Sequence, residues 1–197
     1  MAFRKSTARK TYTEDGLYQY AVGALGRKMR TVAEIKRLMR TRAGEQSDCE
    51  QLVEAVTARL KAQHYLSDSD YAASYSRNRR DNEKLGSRRV EQDLRARGVH
   101  PEVIGRAIGE AYGEIDEEKL AREFVERKRL KQPQQQKEAA RIFRMMTRAG
   151  FSSRVIFRIL REWKIADETL SALEQEREMA ESSSHEVAPE GAQEDEQ

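Results

Sequence analysis

Apolar side chains recur along this chain at the three- and four-residue intervals of helices, and no strand-like run of alternating β-branched residues stands out. The most legible stretch is residues 66–108. Tyr71, Tyr75 and Asn78 share one face of a first helix there, Val90, Leu94 and Arg97 a face of a second, and Val103, Ile104, Ala107 and Ile108 a face of a third. The breaks are equally plain. Ser67 or Asp68 can cap the first helix, Gly86-Ser87 precedes the second, and Gly98 suits the left-handed turn that ends it. Pro101 fits the first turn of the third helix, where a missing N–H costs nothing.

The same grammar extends to both sides. A helix is predicted from Asp15 to Arg30 with Leu17, Tyr20, Ala21, Ala24 and Leu25 inward. Thr31-Val-Ala-Glu34 reads as a capping box that opens a helix through Ile35, Leu38 and Met39 and stops near Gly44. Leu52, Val53, Val56 and Leu60 define a third helix ending around His64. Downstream, a shift of 52 residues superposes Val90 on Ile142, Leu94 on Met146 and Gly98 on Gly150, and Val103, Ile104, Ala107 and Ile108 on Val155, Ile156, Ile159 and Leu160. A helix from Glu117 with Leu120 and Phe124 inward precedes them, followed by the polar loop Gln132–Gln136, broken by Pro133. A period near 50 residues predicts an all-α, elongated tandem array of three three-helix, helix-turn-helix-like repeats. The expected divisions are a disordered basic arm at 1–14, repeats at 15–65, 66–115 and 116–165, and an acidic, largely disordered tail at 166–197.

Charge changes the picture more than composition does. Charged residues make up 36% of the chain against 38% hydrophobic, high in charge for a globular domain. The net charge is +3, but residues 166–197 hold 11 acids and one arginine, leaving that segment at −10 and residues 1–165 at +13. A basic body of this kind favours a polyanionic partner, either nucleic acid or an acidic protein surface. The acidic tail reads most simply as a solvating segment; competition for the basic face is the sharper alternative. No apolar run approaches the ~18 residues of a membrane span, and the basic N-terminus lacks the apolar core of a signal peptide. The single cysteine, Cys49, fits a reducing, cytoplasmic setting.

On a helical wheel Arg77 and Arg80 point away from the Tyr71/Tyr75 side, and Arg88 and Arg95 lie opposite Val90 and Leu94. Arg89 is lateral and can pair with Asp93; Lys84 lies in the intervening loop, and Arg97 covers the core with its stem. The first repeat adds Arg27, Lys28, Arg30, Lys36, Arg37 and Arg40, and the third adds Arg141, Arg144, Arg158 and Arg161. The candidate partner-binding residues are Arg77, Arg80, Lys84, Arg88, Arg89, Arg95, Arg30 and Arg37, set against the plainer reading of solvated faces. Nothing points to catalysis: there is no Walker A loop, GxGxxG, CxxC or nucleophile elbow. His64, His100 and His185 stand at no metal-ligand spacing, Glu117-Glu118 reads as first-turn helix charge, and no catalytic group, metal or cofactor is expected. Phe157 and Trp163 are the candidates for an exposed aromatic contact, Trp163 being better suited to close the last core.

The central segment resembles the RecX family of regulatory proteins, which act on the RecA recombinase. The resemblance rests on Leu66-Ser-Asp68, Tyr71-Ala72, Tyr75, Arg77, Arg79, Gly86, Arg89-Val90, Leu94 and Arg97-Gly98-Val99, with Ala24-Leu25, Arg30–Ile35 and Leu38 similar to the family's opening signature. It covers roughly residues 15–165. Ser76 stands where an aliphatic residue is usual, and Ser87-Arg88 replaces a frequent Gly-Pro-like opening; neither departure touches the expected core pattern. A monomer with no membrane involvement is expected; the resemblance implies a tandem array of three-helix repeats that docks in the groove of the RecA–single-stranded DNA filament. It further implies modulation, mainly inhibition, of RecA's ATPase, recombinase and coprotease activities. A body of charge +13 is also compatible with weak direct binding to nucleic acid. The alternatives are a basic helix-turn-helix-type DNA-binding repeat protein acting without RecA, and a helical adaptor for another partner.

Overall fold

The computed structural model describes residues 11–165 and, beyond them, the helical residues 168, 170–172, 175 and 179. Among the described residues it is all-helical, with nine delimited helices and no strand.

The first three are α1 (Glu14–Arg27), α2 (Val32–Ala43) and α3 (Cys49–Ala62). The side chain of Thr13 caps α1 by accepting from the Gly16 N–H. That helix stops at Arg27 rather than Arg30, because Lys28 turns to an extended conformation on the approach to Thr31, itself the extended cap of α2. The capping box forms in full: the Thr31 hydroxyl accepts from the Glu34 N–H, and the Glu34 carboxylate from the Thr31 N–H. The three helices pack pairwise around Leu17, Ala21, Ile35, Met39, Val53, Val56 and Leu60. Order begins earlier than the arm assigned to residues 1–14. Tyr12 exchanges two hydrogen bonds with the Gln46 side chain at 2.8 and 2.9 Å, while residues 1–10 lie outside the described residues.

The next three are α4 (Asp68–Glu83), α5 (Ser87–Ala96) and α6 (Pro101–Tyr112), again packed pairwise, with Val90, Leu94, Ile104 and Ala107 buried. Ser67, not Asp68, caps α4, its hydroxyl accepting from the Asp70 N–H; Asp68 accepts instead from Val32 N–H at the start of α2. The core stripe of α4 is Tyr71, Ala72 and Ser76, not Tyr71, Tyr75 and Asn78. Ser76 is therefore a core residue, fully buried, and its hydroxyl has no partner.

The last three are α7 (Glu117–Arg127), α8 (Gln136–Arg148) and α9 (Ser153–Glu162), with α9 packed against both others. Phe124 meets Phe151 edge-on at 5.4 Å, and Phe143 meets Phe157 at 5.2 Å. Phe157 is thus a buried core residue, not an exposed contact. Trp163 caps α9 at its C-terminus. Within the segment 166–197, expected to be a largely disordered tail, residues 168, 170–172, 175 and 179 are helical and Leu170 is buried; the other residues of that segment lie outside the described residues.

By proximity the chain forms two compact units, one of residues 1–83 and 87–115 and one of residues 84–86 and 116–197. Gly98 and Gly150, superposed by the 52-residue shift, both adopt positive φ, 78° and 93°, after α5 and α8. Among the described residues four that bear side chains share that left-handed region: His64, Lys84, Arg129 and Lys164, each just past a helix end.

Candidate functional site

In the first unit, α4 and α5 are held together through Tyr75. Its hydroxyl donates to Asp93 at 3.0 Å, and its ring carries the Arg79 guanidinium at 4.7 Å and the Arg97 guanidinium at 5.1 Å. Arg79 also pairs with Glu83 one turn on. Arg97 reaches Glu34 at 2.8 Å, and its backbone carbonyl accepts from the Thr31 hydroxyl at 2.8 Å. The start of α2 therefore meets the turn between α5 and α6, where a Cβ on Gly98 would stand 2.6 Å from that of Ala33. Arg79 and Arg97, both in the resemblance motif, are thus committed to internal contacts.

The sequence-predicted cations divide by what they touch. Arg77 and Arg88 are exposed and pair with no described residue, and Arg37 is the same on α2. Arg89 pairs with the half-buried Asp93 at 3.1 Å and Arg95 with Glu91 at 2.7 Å, i,i+4 pairs along α5 in which both arginines are exposed. Such pairs are worth only ~0.3–0.5 kcal/mol and exchange readily for a partner's anion. Arg80 does not point freely outward. It binds Asp81 at 2.7 Å and donates to the Ala111 carbonyl, one of the acceptors left open in the last turn of α6. Arg30 is half-buried, with its Nε buried and unpartnered beside the exposed Met29 and Tyr65.

In the second unit Lys84 is held by Glu123 at 2.7 Å, which removes it from a freely presented set. The acids at the start of α7 do more than favour its dipole. The Glu117 carboxylate accepts from the backbone N–H of Ser152 at 2.6 Å and its hydroxyl at 2.8 Å. Arg122 joins Glu118 at 2.6 Å to Glu162 at 2.5 Å, and Arg158 closes on Glu118. Hydrogen bonds from Arg122 and then Arg158 hold the Glu118 carboxyl below its ordinary value, and Arg122 does the same for Glu162.

Sequence reasoning underweighted α8. Lys137, Arg141, Arg144 and Arg148 recur at four, three and four residues, which places them on one helix face. All are exposed, and none pairs with a described residue; Ala139, Ile142, Phe143 and Met146 occupy the buried face. The spacing was readable, but its freedom from acids on other helices was not. Among the described residues no cluster of His, Cys, Asp or Glu could hold a metal, and no helix is long and apolar enough to cross a membrane.

These features define an all-helical protein that presents exposed arginines and lysines free of acids among the described residues. Residues 67–108 match the family model described as RecX, second three-helix domain. The regulatory protein RecX of Trichlorobacter lovleyi is 30% identical over 129 residues, spanning 64% of this chain and 81% of that protein. That of Myxococcus xanthus is 30% identical over 155 residues, or 72% and 80%. That of Geobacillus thermodenitrificans is 30% identical over 166 residues and 82% of this chain, though the match spans only 57% of that protein. The chain belongs to the RecX family of regulatory proteins. Its fold is that of two solved structures, each at TM-score 0.61: a regulatory protein RecX, at 23% identity over 76% of this chain and 71% of that one, and RecX from Lactobacillus salivarius, at 18% identity over 78% and 97%.

Proposed function

We propose that this protein binds the RecA–single-stranded DNA filament and restrains RecA, lowering its ATP hydrolysis, strand exchange and coprotease activity. The observation that carries this reading, within a family of regulatory proteins, is the pair Arg77 and Arg88, exposed and free of described acids. Arg37 adds a third such cation, and Arg89 and Arg95 can release Asp93 and Glu91 to engage an acidic protein surface or phosphates. On this reading the protein is a binding protein, not an enzyme. It acts as a monomer in the cytoplasm, without a cofactor, by occupying space that a second DNA or a moving RecA protomer needs.

The test is RecA's single-stranded-DNA-dependent ATP hydrolysis, with the protein added substoichiometrically to preformed filaments. A dose-dependent fall is expected, with the required dose raised about tenfold or more by R77E/R88E, because like charges at a docking face cost several kcal/mol. No effect on hydrolysis, together with tight and steeply salt-dependent binding to bare duplex, would replace this reading with the DNA-binding alternative.

A further inference from the structure

The α8 stripe presents four exposed cations that pair with no described residue, and the chain carries a matching counter-charge. Next to the stripe, Arg129, Lys131 and Arg141, with Leu130, Ile142 and Met145, line an open cavity of about 410 Å³. The one acid on its wall, Glu138, is turned to the Gln134 N–H at 2.8 Å. Gln132, on the same wall, donates from Nε2 to the Trp163 carbonyl at 2.6 Å, so the chain leaves α9 beside this basic wall. The sequence that follows carries nine acids and one arginine over residues 174–197. The stripe from Lys137 to Arg148 is ~17 Å long at 1.5 Å per residue, whereas residues 180–197, beyond the last described helical position, can span ~60 Å. Reach is therefore not limiting, and tethering gives the acids a high effective concentration at the stripe.

We propose that in the free protein the acidic segment 174–197 lies along the α8 stripe and its neighbouring loop, a resident counter-charge that a polyanionic partner must displace. The proposal concerns this chain alone and holds whether or not the partner is the RecA filament. Exposed cations gathered on one face repel one another, and acidic side chains set against them relieve that repulsion in a salt-dependent way.

Zero-length carbodiimide coupling of the dilute full-length protein tests the contact directly. The pairs Lys36–Glu54, at 2.6 Å, and Lys84–Glu123, at 2.7 Å, serve as internal controls. Lys131 and Lys137 are expected to join acids of residues 174–197, with a yield that falls as salt rises. Control links without these links would overturn the proposal. The second arm measures anisotropy of an oligothymidylate of about 20 nucleotides at ~50 mM salt. Neutralising E181Q, E186Q, E190Q, E194Q, D195N and E196Q together should tighten binding about tenfold or more, and adding R141E/R144E should abolish that gain. No gain, or a gain that survives R141E/R144E, would reject α8 as the place where the segment sits.

Discussion

Ser76 is fully buried on α4 with an unpartnered hydroxyl, a desolvation cost of ~1–3 kcal/mol with no bond to offset it. Ser76→Ala is expected to raise the melting temperature by about 2–4 °C, corresponding to ~1 kcal/mol, in a thermal denaturation scan; a lower melting temperature would mean that the hydroxyl has found a partner. Gly86 behaves oppositely. Its N–H donates to the Ala149 carbonyl at 2.8 Å, and a Cβ there would stand 2.3 Å from the Gly150 oxygen. Gly86→Ala should therefore destabilise by more than ~2 kcal/mol, visible as an earlier urea midpoint. Neither role was legible in the sequence. Ala72 and Ser76 add almost no hydrophobic signal, so the stripe was drawn through the larger Tyr75 and Asn78. Their smallness is what admits them to the tight side of α4, against α5 and α6. Gly86 was readable as a turn, but its neighbour lies 64 positions away, and no local pattern carries that distance.

Helices and their ends were the most readable part, because caps and periodicity are local. Thr31, Gly44, Gly98, Pro101 and Glu117 all stand at the ends they were assigned. What escaped was the traffic between elements. Thr31 both caps α2 and donates to the Arg97 carbonyl, and Glu34 both closes the capping box and pairs with Arg97. Thr31→Ala is expected to cost about 2 kcal/mol, more than an isolated cap, since two bonds are lost at a buried residue. A double-mutant cycle between Glu34→Ala and Arg97→Ala, which removes both side chains of the 2.8 Å pair, should return a coupling energy above ~0.5 kcal/mol, whereas simple additivity would mean that the pair does not couple the two ends. The clasp between α7 and α9 is pH-sensitive through Glu118 and Glu162. Both are held below their ordinary value of 4.5, so their contribution is complete at neutral pH and is lost as the pH falls from that value through the lower folded-state one. The second unit should melt earlier at about pH 3 than at pH 7, and E118Q/E162Q should shrink that difference; an unchanged difference would assign the acid sensitivity to other carboxylates.

Across the whole chain, the excess of cations in residues 1–165 was plain from composition, but the division between occupied and free ones was not. Contacts with the Ala111 carbonyl and with Glu123 are settled by tertiary neighbours, and they remove Arg80 and Lys84 from the presented set while leaving Arg37, Arg77 and Arg88. On the proposed function, these cations predict that filament binding weakens steeply with salt. R77E/R88E should flatten the dependence of log affinity on log salt if the two arginines meet phosphates, and leave the slope unchanged if they meet acidic side chains at short range. The four left-handed positions carry a consequence of another kind. Glycine would sit at such a turn more cheaply, by about 1 kcal/mol at each, yet the chain places His64, Lys84, Arg129 and Lys164 there. Lys164→Gly should raise the melting temperature while removing one cation. A thermostabilised version of this protein is therefore within reach of a few substitutions, and ranking those variants by stability against partner affinity would show how much robustness evolution has exchanged for charge.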